Sequence, residues 1–166
     1  KRDVTETISP SMDISVASNF ERLLYDFYLD RNSTVCSDIY SNFPNTAINI
    51  NEDVWQKSDK LFLSHSVDDN ATYSTMKYFK NEFNYIIDPH TAVAAEAVLK
   101  LNHTLSDKTL ILSTAHPAKF PDALKKSSIL MENMPKRLTD VINKKEIAKK
   151  ISTSDNSIYE YIRSNN

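Results

Sequence analysis

The sequence of 166 residues contains no glycine. Average usage of about 7% would place roughly a dozen glycines in a chain of this length. The absence excludes a glycine-rich phosphate cradle, a P-loop and a dinucleotide fingerprint within these residues. The abundance of Lys, Asn and Ile suggests an AT-rich coding sequence, and design or selection of a glycine-free segment is the alternative. In either case, if the protein binds a phosphorylated cofactor through a glycine-rich loop, that loop lies on another stretch of polypeptide.

Cysteine, net charge, long apolar runs and metal-ligand spacing are also scarce or absent, and each of these observations excludes a class of function. The single cysteine, Cys36, excludes an intrachain disulfide and favours a reducing compartment, so we expect a cytoplasmic protein. A net charge of -2 predicts no nucleic-acid partner, because such binding requires a concentrated basic face. No apolar run approaches the length of a membrane span and no leader is recognisable, so we predict no membrane association. The four histidines lack the spacing of a metal site: His65, His90, His103 and His116.

The hydrophobic periodicity predicts a helix-rich α/β fold. The opening residues favour a short strand that ends before Pro10. Helices are predicted after Ser18 or Asn19, within residues 31–52, around Trp55, and after a cap at Asp69 or Asn70. The first of these helices has an apolar stripe formed by Phe20, Leu23, Leu24, Phe27 and Tyr28.

The clearest pattern starts at Asp88, which we predict as an N-cap followed by Pro89 at the first helical position. The helix should run to about Leu101. A buried parallel strand is then predicted at Lys108–Leu112, and another helix at Pro121–Ser127. Because two strands cannot form a buried sheet, this unit resembles the edge of a larger one, and we predict that the chain is part of a bigger enzyme.

Three phrases in fixed order, SPSMDI with SNFERLL, IIDPHTAVA, and STAHPAKFPDA, resemble the C-terminal part of the threonine synthase family. The resemblance runs from about Thr5 to Ser128, and the tail after Ile129 adds nothing diagnostic. It implies a tryptophan-synthase-β-like fold, so we predict four regions. Residues 1–14 would be a strand and loop of the catalytic domain, 15–87 a helical region, 88–128 a helix-strand-loop-helix of the catalytic domain, and 129–166 a helical tail.

The resemblance also implies a reaction and a cofactor. Members of the family convert O-phosphohomoserine and water to threonine and phosphate, with pyridoxal 5'-phosphate serving as an electron sink. The Schiff-base lysine and the phosphate loop of the family precede the SPSMDI phrase, and neither is present here. The partners implied are therefore O-phosphohomoserine and the remainder of the enzyme chain, without which this chain should be inactive.

Carried onto this sequence, the resemblance makes Thr114 the best candidate for a cofactor contact. A hydroxyl near the C-terminus of this fold type faces the pyridine nitrogen, and Ser113 is the neighbouring candidate for that position. The alternative is a hydroxyl that caps the following turn. His116 and His90 are the candidate catalytic imidazoles, but loop-pinning is at least as good an account of His116. At the start of the helix, either Asp88 caps the free N–H groups or they bind an anion.

The predicted substrate-binding residues are Arg22, Asn19, Ser11 and Asp13. Arg22 and Asn19 share one side of a helix, and the guanidinium of Arg22 suits a carboxylate or a phosphate. A surface salt bridge from Arg22 to Asp26 is the structural alternative. Two other functions remain open: a threonine-synthase-like phospholyase with a different substrate, and a non-catalytic helical interaction module.

Overall fold

The computed structural model describes residues 3–27, 31–41, 43, 45–102, 108–152 and 155–165. Tyr28 of the predicted apolar stripe and His103 lie outside these residues. The described helices are α1 Phe20–Phe27, α2 Ser33–Tyr40, α3 Glu52–Asp59, α4 Asp69–Phe83, α5 Pro89–Leu101, α6 Pro121–Lys126, α7 Lys136–Ile142 and α8 Asp155–Ser164. The chain separates into two compact units, Lys1–Met131 and Glu132–Asn166.

The helix-rich part of the predicted fold is confirmed, but within the described ranges no segment forms a strand. The two segments predicted as strands, residues 3–8 and Lys108–Leu112, have no regular secondary structure. A strand requires a neighbouring strand with which to exchange backbone hydrogen bonds, and the described part of this chain supplies none. Leu110 and Leu112 are 85% and 69% exposed, whereas Ile111 between them packs against the core.

The core of the first unit is centred on α4 and α5, the two helices with the most extensive mutual contact. Met76 of α4 and two alanines of α5, Ala92 and Ala95, are completely buried. The small alanine side chains allow the helices to approach closely. Between the same helices, the Thr75 hydroxyl donates to the Glu96 carboxylate over 2.6 Å.

The N-cap of α4 lies one residue before Asp69, the earlier of the two predicted caps. Asp68, in extended backbone conformation, is the N-cap, and its carboxylate accepts from the Ala71 N–H at 2.8 Å. Asp69 is the first helical residue, and its carboxylate accepts instead from the backbone N–H of Ile8 at 3.1 Å. This contact connects the start of α4 to the loop that carries the SPSMDI phrase.

Helices α1, α2 and α3 surround a second, smaller core. One buried residue comes from each helix: Leu24, Cys36 and Val54. The predicted short helix within residues 31–52 is confirmed as α2, which is capped by the side chain of Asn32. Trp55 lies on the outer side of α3 and is 54% exposed.

Without glycine, left-handed backbone falls on other residues. Arg31, Asn84 and Ser128 have φ angles of 59°, 49° and 55°. Asn84 is the C-cap of α4, and Ser128 follows the C-cap of α6. Helix α6 ends at Lys126, one residue before the predicted end at Ser127.

In the second unit, the Lys149 ammonium lies 4.8 Å from the centre of the Tyr161 ring. Across the described ranges, no helix combines the length and apolar character that a membrane crossing needs.

Candidate functional site

Asp88 is the N-cap of α5, as the sequence predicts, and it is 1% exposed. Its Oδ1 atom accepts from the backbone N–H groups of His90 at 3.0 Å and Thr91 at 3.4 Å. The carboxylate therefore occupies the donors that an anion would otherwise use at this helix terminus. Capping by Asp88, one of the two predicted alternatives, is what the geometry shows.

A second set of contacts connects Asp88 to the segment that follows the predicted strand. The Thr91 hydroxyl donates to Oδ2 of Asp88. The same hydroxyl oxygen accepts from the backbone N–H of Thr114 over 3.3 Å. Thr91 is 4% exposed, while the Thr114 side chain is exposed. The backbone N–H of Thr114 is thus held by α5, while the residue itself is exposed.

A third set of contacts connects Asp88 to the SPSMDI loop through His90. Oδ1 of Asp88 lies 3.0 Å from Nδ1 of His90, and Nε2 of His90 lies 3.2 Å from the backbone nitrogen of Ser11. Because a backbone N–H can only donate, Nε2 must accept, and Nδ1 carries the proton that it donates to Asp88. Both ring nitrogens of the predicted catalytic His90 are therefore used within the protein, and the residue is 4% exposed.

These contacts unite the three phrases of the sequence in one group of hydrogen-bonded residues, which we call the Asp88 network: Ser11, Asp88, His90, Thr91 and Thr114. The Phe120 ring covers it, with its centre 4.9 Å from that of the His90 ring. Polar groups removed from water are costly unless they are paired, so this network favours a single arrangement of the three segments.

The SPSMDI loop is closed on itself as well. The Asp13 carboxylate accepts from the backbone N–H and the hydroxyl of Thr7, each over 2.7 Å. Ser9 is 1% exposed and donates its hydroxyl to the Pro89 carbonyl at 3.2 Å. Ser11, by contrast, has an exposed side chain. Ser11 of this loop is thus exposed, while the buried Ser9 secures the loop to the start of α5.

A cavity of about 550 Å³ adjoins this loop. Ser9, Met12 and Asp13 line one part of it, and His65 and Val93 line another. The volume is within the usual range for small-molecule sites. No cluster of three His, Cys, Asp or Glu side chains suited to a metal occurs in the residues that the structure describes.

His116 and Ser113 lie beside Thr114 and have exposed side chains. Nδ1 of His116 accepts from the backbone N–H of Ala118 at 3.2 Å, and His116 thereby caps the short 3-10 helix Pro117–Lys119. This contact is the loop-pinning that the sequence offered as an alternative to catalysis.

The remaining predicted residues, Arg22 and Asn19, form a separate pair at the start of α1. An Arg22 guanidinium nitrogen donates to the Asn19 side-chain oxygen at 2.5 Å. The alternative partner, Asp26, is paired with Arg31 at 2.9 Å. Arg22 lines a different cavity, of about 450 Å³, together with Tyr25, Cys36 and Tyr40.

Cys36 is one of the buried residues in the core between α1, α2 and α3. Burial, and to a smaller extent the charge of Glu21, raises the pKa of the Cys36 thiol above its ordinary value of 9.0. A raised pKa keeps the thiol protonated at neutral pH, which is unfavourable for nucleophilic chemistry.

Sequence reasoning missed two hydroxyls that organise the site, Thr7 and Thr91. Thr91 follows the predicted cap by three residues, and an uncharged side chain at that position gives no strong signal. Thr7 precedes the loop that it closes. Thr91 lies within the IIDPHTAVA phrase and Thr7 lies two residues before SPSMDI, so the only available signal was their proximity to these phrases.

Comparison with known proteins identifies the family. The protein-family model described as "Threonine synthase, C-terminal" matches residues 91–162. This match includes most of the tail after Ile129, where the sequence alone showed no resemblance. Threonine synthase of Pseudomonas aeruginosa is 35% identical over 142 residues, which cover 84% of this chain and 30% of that protein. Threonine synthase of Saccharomyces cerevisiae is 34% identical over 137 residues, which cover 73% of this chain and 27% of that protein.

Solved structures agree. The structure of threonine synthase from Brucella melitensis with bound pyridoxal phosphate has a TM-score of 0.76 and 29% identity, over 98% of this chain and 35% of that one. Yeast threonine synthase has a TM-score of 0.72 and 30% identity, over 88% of this chain and 33% of that one. The chain spans about a third of the length of these relatives. It belongs to the threonine synthase family and corresponds to a C-terminal portion of its members.

Proposed function

We propose that the chain is the C-terminal part of a threonine synthase that converts O-phosphohomoserine and water to threonine and phosphate. One observation carries the proposal: the SPSMDI, IIDPHTAVA and STAHPAKFPDA phrases of the family resemblance are hydrogen-bonded to one another through Asp88. Residues scattered over more than a hundred positions are thus brought to one place. The rest of the enzyme is the required partner, because no glycine-rich phosphate loop exists in this sequence.

The residues present fit one part of pyridoxal 5'-phosphate, the cofactor of the Brucella relative. Thr114 is exposed and its backbone N–H is held by Thr91, so the residue can offer its hydroxyl as a neutral donor. We assign Thr114 to the ring nitrogen and Ser113 to the same region. When bound, the cofactor supplies an electron sink for carbanions. A hydroxyl partner leaves the ring nitrogen unprotonated and moderates that sink.

The two histidines have different proposed roles. His116 is exposed beside Thr114, where its imidazole is available to move a proton while Nδ1 accepts from Ala118. His90 is buried with both nitrogens engaged, so its contribution to catalysis is to hold Ser11 near the reacting groups.

For the substrate, we propose Arg22, Asn19, Ser11 and Asp13. Arg22 presents a guanidinium whose bond to Asn19 limits its rotation, and this geometry suits a phosphate or a carboxylate. Ser11 and Asp13 belong to the loop beside the cavity of about 550 Å³, where Asp13 forms part of the wall.

We further propose that residues 3–8 and Lys108–Leu112 become strands of a larger parallel sheet when the rest of the enzyme is present. The alternation at positions 110–112, with Ile111 facing the core and two exposed leucines, is typical of a strand. The lone, reduced cysteine also favours the cytoplasm as the compartment.

The test uses the complete enzyme, which should release threonine and phosphate in equal amounts from O-phosphohomoserine, whereas this chain alone should release neither. Thr114→Val should lower kcat about tenfold, the value of one lost hydrogen bond, and shift the visible absorbance of the bound cofactor. Ser113→Ala serves as the matched control. If only Ser113→Ala shifts the absorbance, the assignment moves to Ser113, and if neither does, the cofactor contact lies elsewhere.

A further inference from the structure

Thr91 is the only link that the described hydrogen bonds provide between the capping carboxylate of α5 and the segment of Thr114. Its hydroxyl has two partners in different parts of the chain, Asp88 on one side and the Thr114 backbone on the other. A hydroxyl that donates to a carboxylate becomes a better acceptor, because hydrogen bonds in a chain polarise one another. Thr91 is therefore placed to transmit the position of the helix terminus to Thr114.

We infer that Thr91 is a positioning residue: its buried hydroxyl, oriented by Asp88, fixes the backbone of Thr114 and so places the hydroxyl that Thr114 offers to the cofactor. This inference rests on the proposed function for its catalytic consequence. The geometric part, that Thr91 fixes Thr114, stands on the contacts alone.

The burial of Asp88 and Thr91 supports a role for their hydrogen bond beyond the capping of α5. Asp88 is 1% exposed and Thr91 is 4% exposed, so water cannot replace a lost partner without rearrangement. A cap needs only the Asp88 carboxylate and the helix N–H groups, and those bonds do not involve the Thr91 side chain. The contact from Thr91 to Thr114 spans 23 positions of sequence and adds nothing to the helix itself.

Within the Asp88 network, His90 connects Asp88 to Ser11 in the same way that Thr91 connects Asp88 to Thr114. His90 receives its orientation from Asp88 and accepts from the Ser11 N–H. One carboxylate thereby orients two side chains, and each of these accepts a backbone N–H from a different proposed part of the site. Removal of the Thr91 hydroxyl should release the Thr114 segment and leave the Ser11 loop in place.

The experiment compares Thr91→Val and Thr91→Ser in the complete enzyme. Valine keeps the shape of threonine without its hydroxyl, and serine keeps the hydroxyl. Thr91→Val should speed hydrogen exchange about tenfold in peptides covering Thr114 in the cofactor-free protein, with no change in peptides covering Ser11. In the loaded enzyme it should shift the cofactor absorbance in the direction of Thr114→Val, and Thr91→Ser should restore both.

Thr72→Val is the matched control. Thr72 is also a buried threonine near a helix start, 1% exposed, and its hydroxyl donates to the Asp68 carbonyl of its own helix. Its replacement should lower stability without altering exchange at Thr114 or the cofactor absorbance. If Thr91→Val fails to fold, Thr91→Ala provides the same comparison with a smaller side chain.

The outcomes separate the two proposals. Unchanged exchange at Thr114 in Thr91→Val would overturn the positioning role, even if Thr114→Val still shifts the absorbance and the proposed function stands. Faster exchange together with an absorbance that no Thr114 variant changes would support the positioning role and overturn the cofactor contact.

Discussion

Arg22 lies in the first turn of α1 and Arg31 lies beyond its C-terminal end; both are exposed, and they differ in their partners. Arg31 is paired with a carboxylate, Asp26, so its charge is already compensated. Arg22 contacts the neutral side chain of Asn19 and lines a cavity together with Glu21, but no ion pair among the described residues compensates its charge. This difference separates a surface ion pair from a candidate binding group.

We therefore predict that Arg22→Ala in the complete enzyme raises KM for O-phosphohomoserine about tenfold or more and leaves kcat nearly unchanged. The reason is that a charge-assisted hydrogen bond made equally to the ground state and the transition state affects binding alone. Steady-state kinetics provide the measurement. Arg31→Ala is the control and should change neither constant. Equal kinetics for Arg22→Ala and wild type would mean that Arg22 does not bind the substrate.

Residues differ in how far the sequence alone reveals their roles. Asp88 is recognisable as a cap because capping depends on the next three residues and on the adjacent Pro89. The partner of Thr114 is not recognisable, because Thr91 is 23 positions away and meets it only in the folded chain. The cap of α4 was misplaced by one residue because Asp68 and Asp69 are both acidic and only the backbone conformation distinguishes them.

At the scale of single elements, the end of α6 shows how the chain manages without glycine. The Ile129 N–H donates to the Leu124 carbonyl at 2.9 Å, and the Ser128 N–H donates to the Lys125 carbonyl at 3.0 Å. This pair of bonds is the Schellman motif, in which the residue after the C-cap is left-handed and is usually glycine. Ser128 has that conformation, with φ of 55°. A side chain in this conformation costs about 1–2 kcal/mol.

Ser128→Gly should consequently raise the free energy of unfolding by about 1 kcal/mol. Glycine removes the steric cost of the left-handed conformation, but it also loses more conformational entropy on folding than serine, which reduces the net gain. Denaturant unfolding of the complete protein measures the change. The same substitution at Ser74, an exposed position inside α4, should instead lower stability by about 0.5 kcal/mol. A destabilised Ser128→Gly would mean that the serine side chain itself stabilises the helix end.

Helices and strands were not equally predictable, and the reason is physical. Helices such as α2 and α5 satisfy their hydrogen bonds internally, so caps and periodicity locate them from sequence. A strand depends on a neighbouring strand, and no strand is formed within the described part of this chain. The apolar pattern of Lys108–Leu112 is the basis for the proposal that the segment joins a sheet of the complete enzyme.

For the molecule as a whole, large apolar side chains remain uncovered beside the proposed site. Leu110 and Leu112 are exposed at one end of the STAHP segment, and Ile14, which follows the SPSMDI loop, is 62% exposed. Soluble proteins seldom leave neighbouring apolar groups exposed without a partner for them. The relatives are about three times longer than this chain, so the rest of the enzyme is the expected cover.

Leu110→Lys tests this cover because its effect should depend on context. In the isolated chain, where Leu110 is 85% exposed, lysine should leave helix content unchanged and increase solubility. In the complete enzyme, the same lysine should destabilise the fold by about 2–4 kcal/mol, since it would place an unpaired charge in a buried strand. Circular dichroism and thermal melts of both forms provide the comparison.

Ile111→Lys is the control for the other side of the segment. Ile111 already packs against the core of this chain, so lysine there should be destabilising in both contexts. The contrast between adjacent positions follows from strand geometry, in which neighbouring side chains face opposite sides. If Leu110→Lys is harmless in the complete enzyme while Ile111→Lys is not, the outer face of the segment stays in water and no further strand covers it.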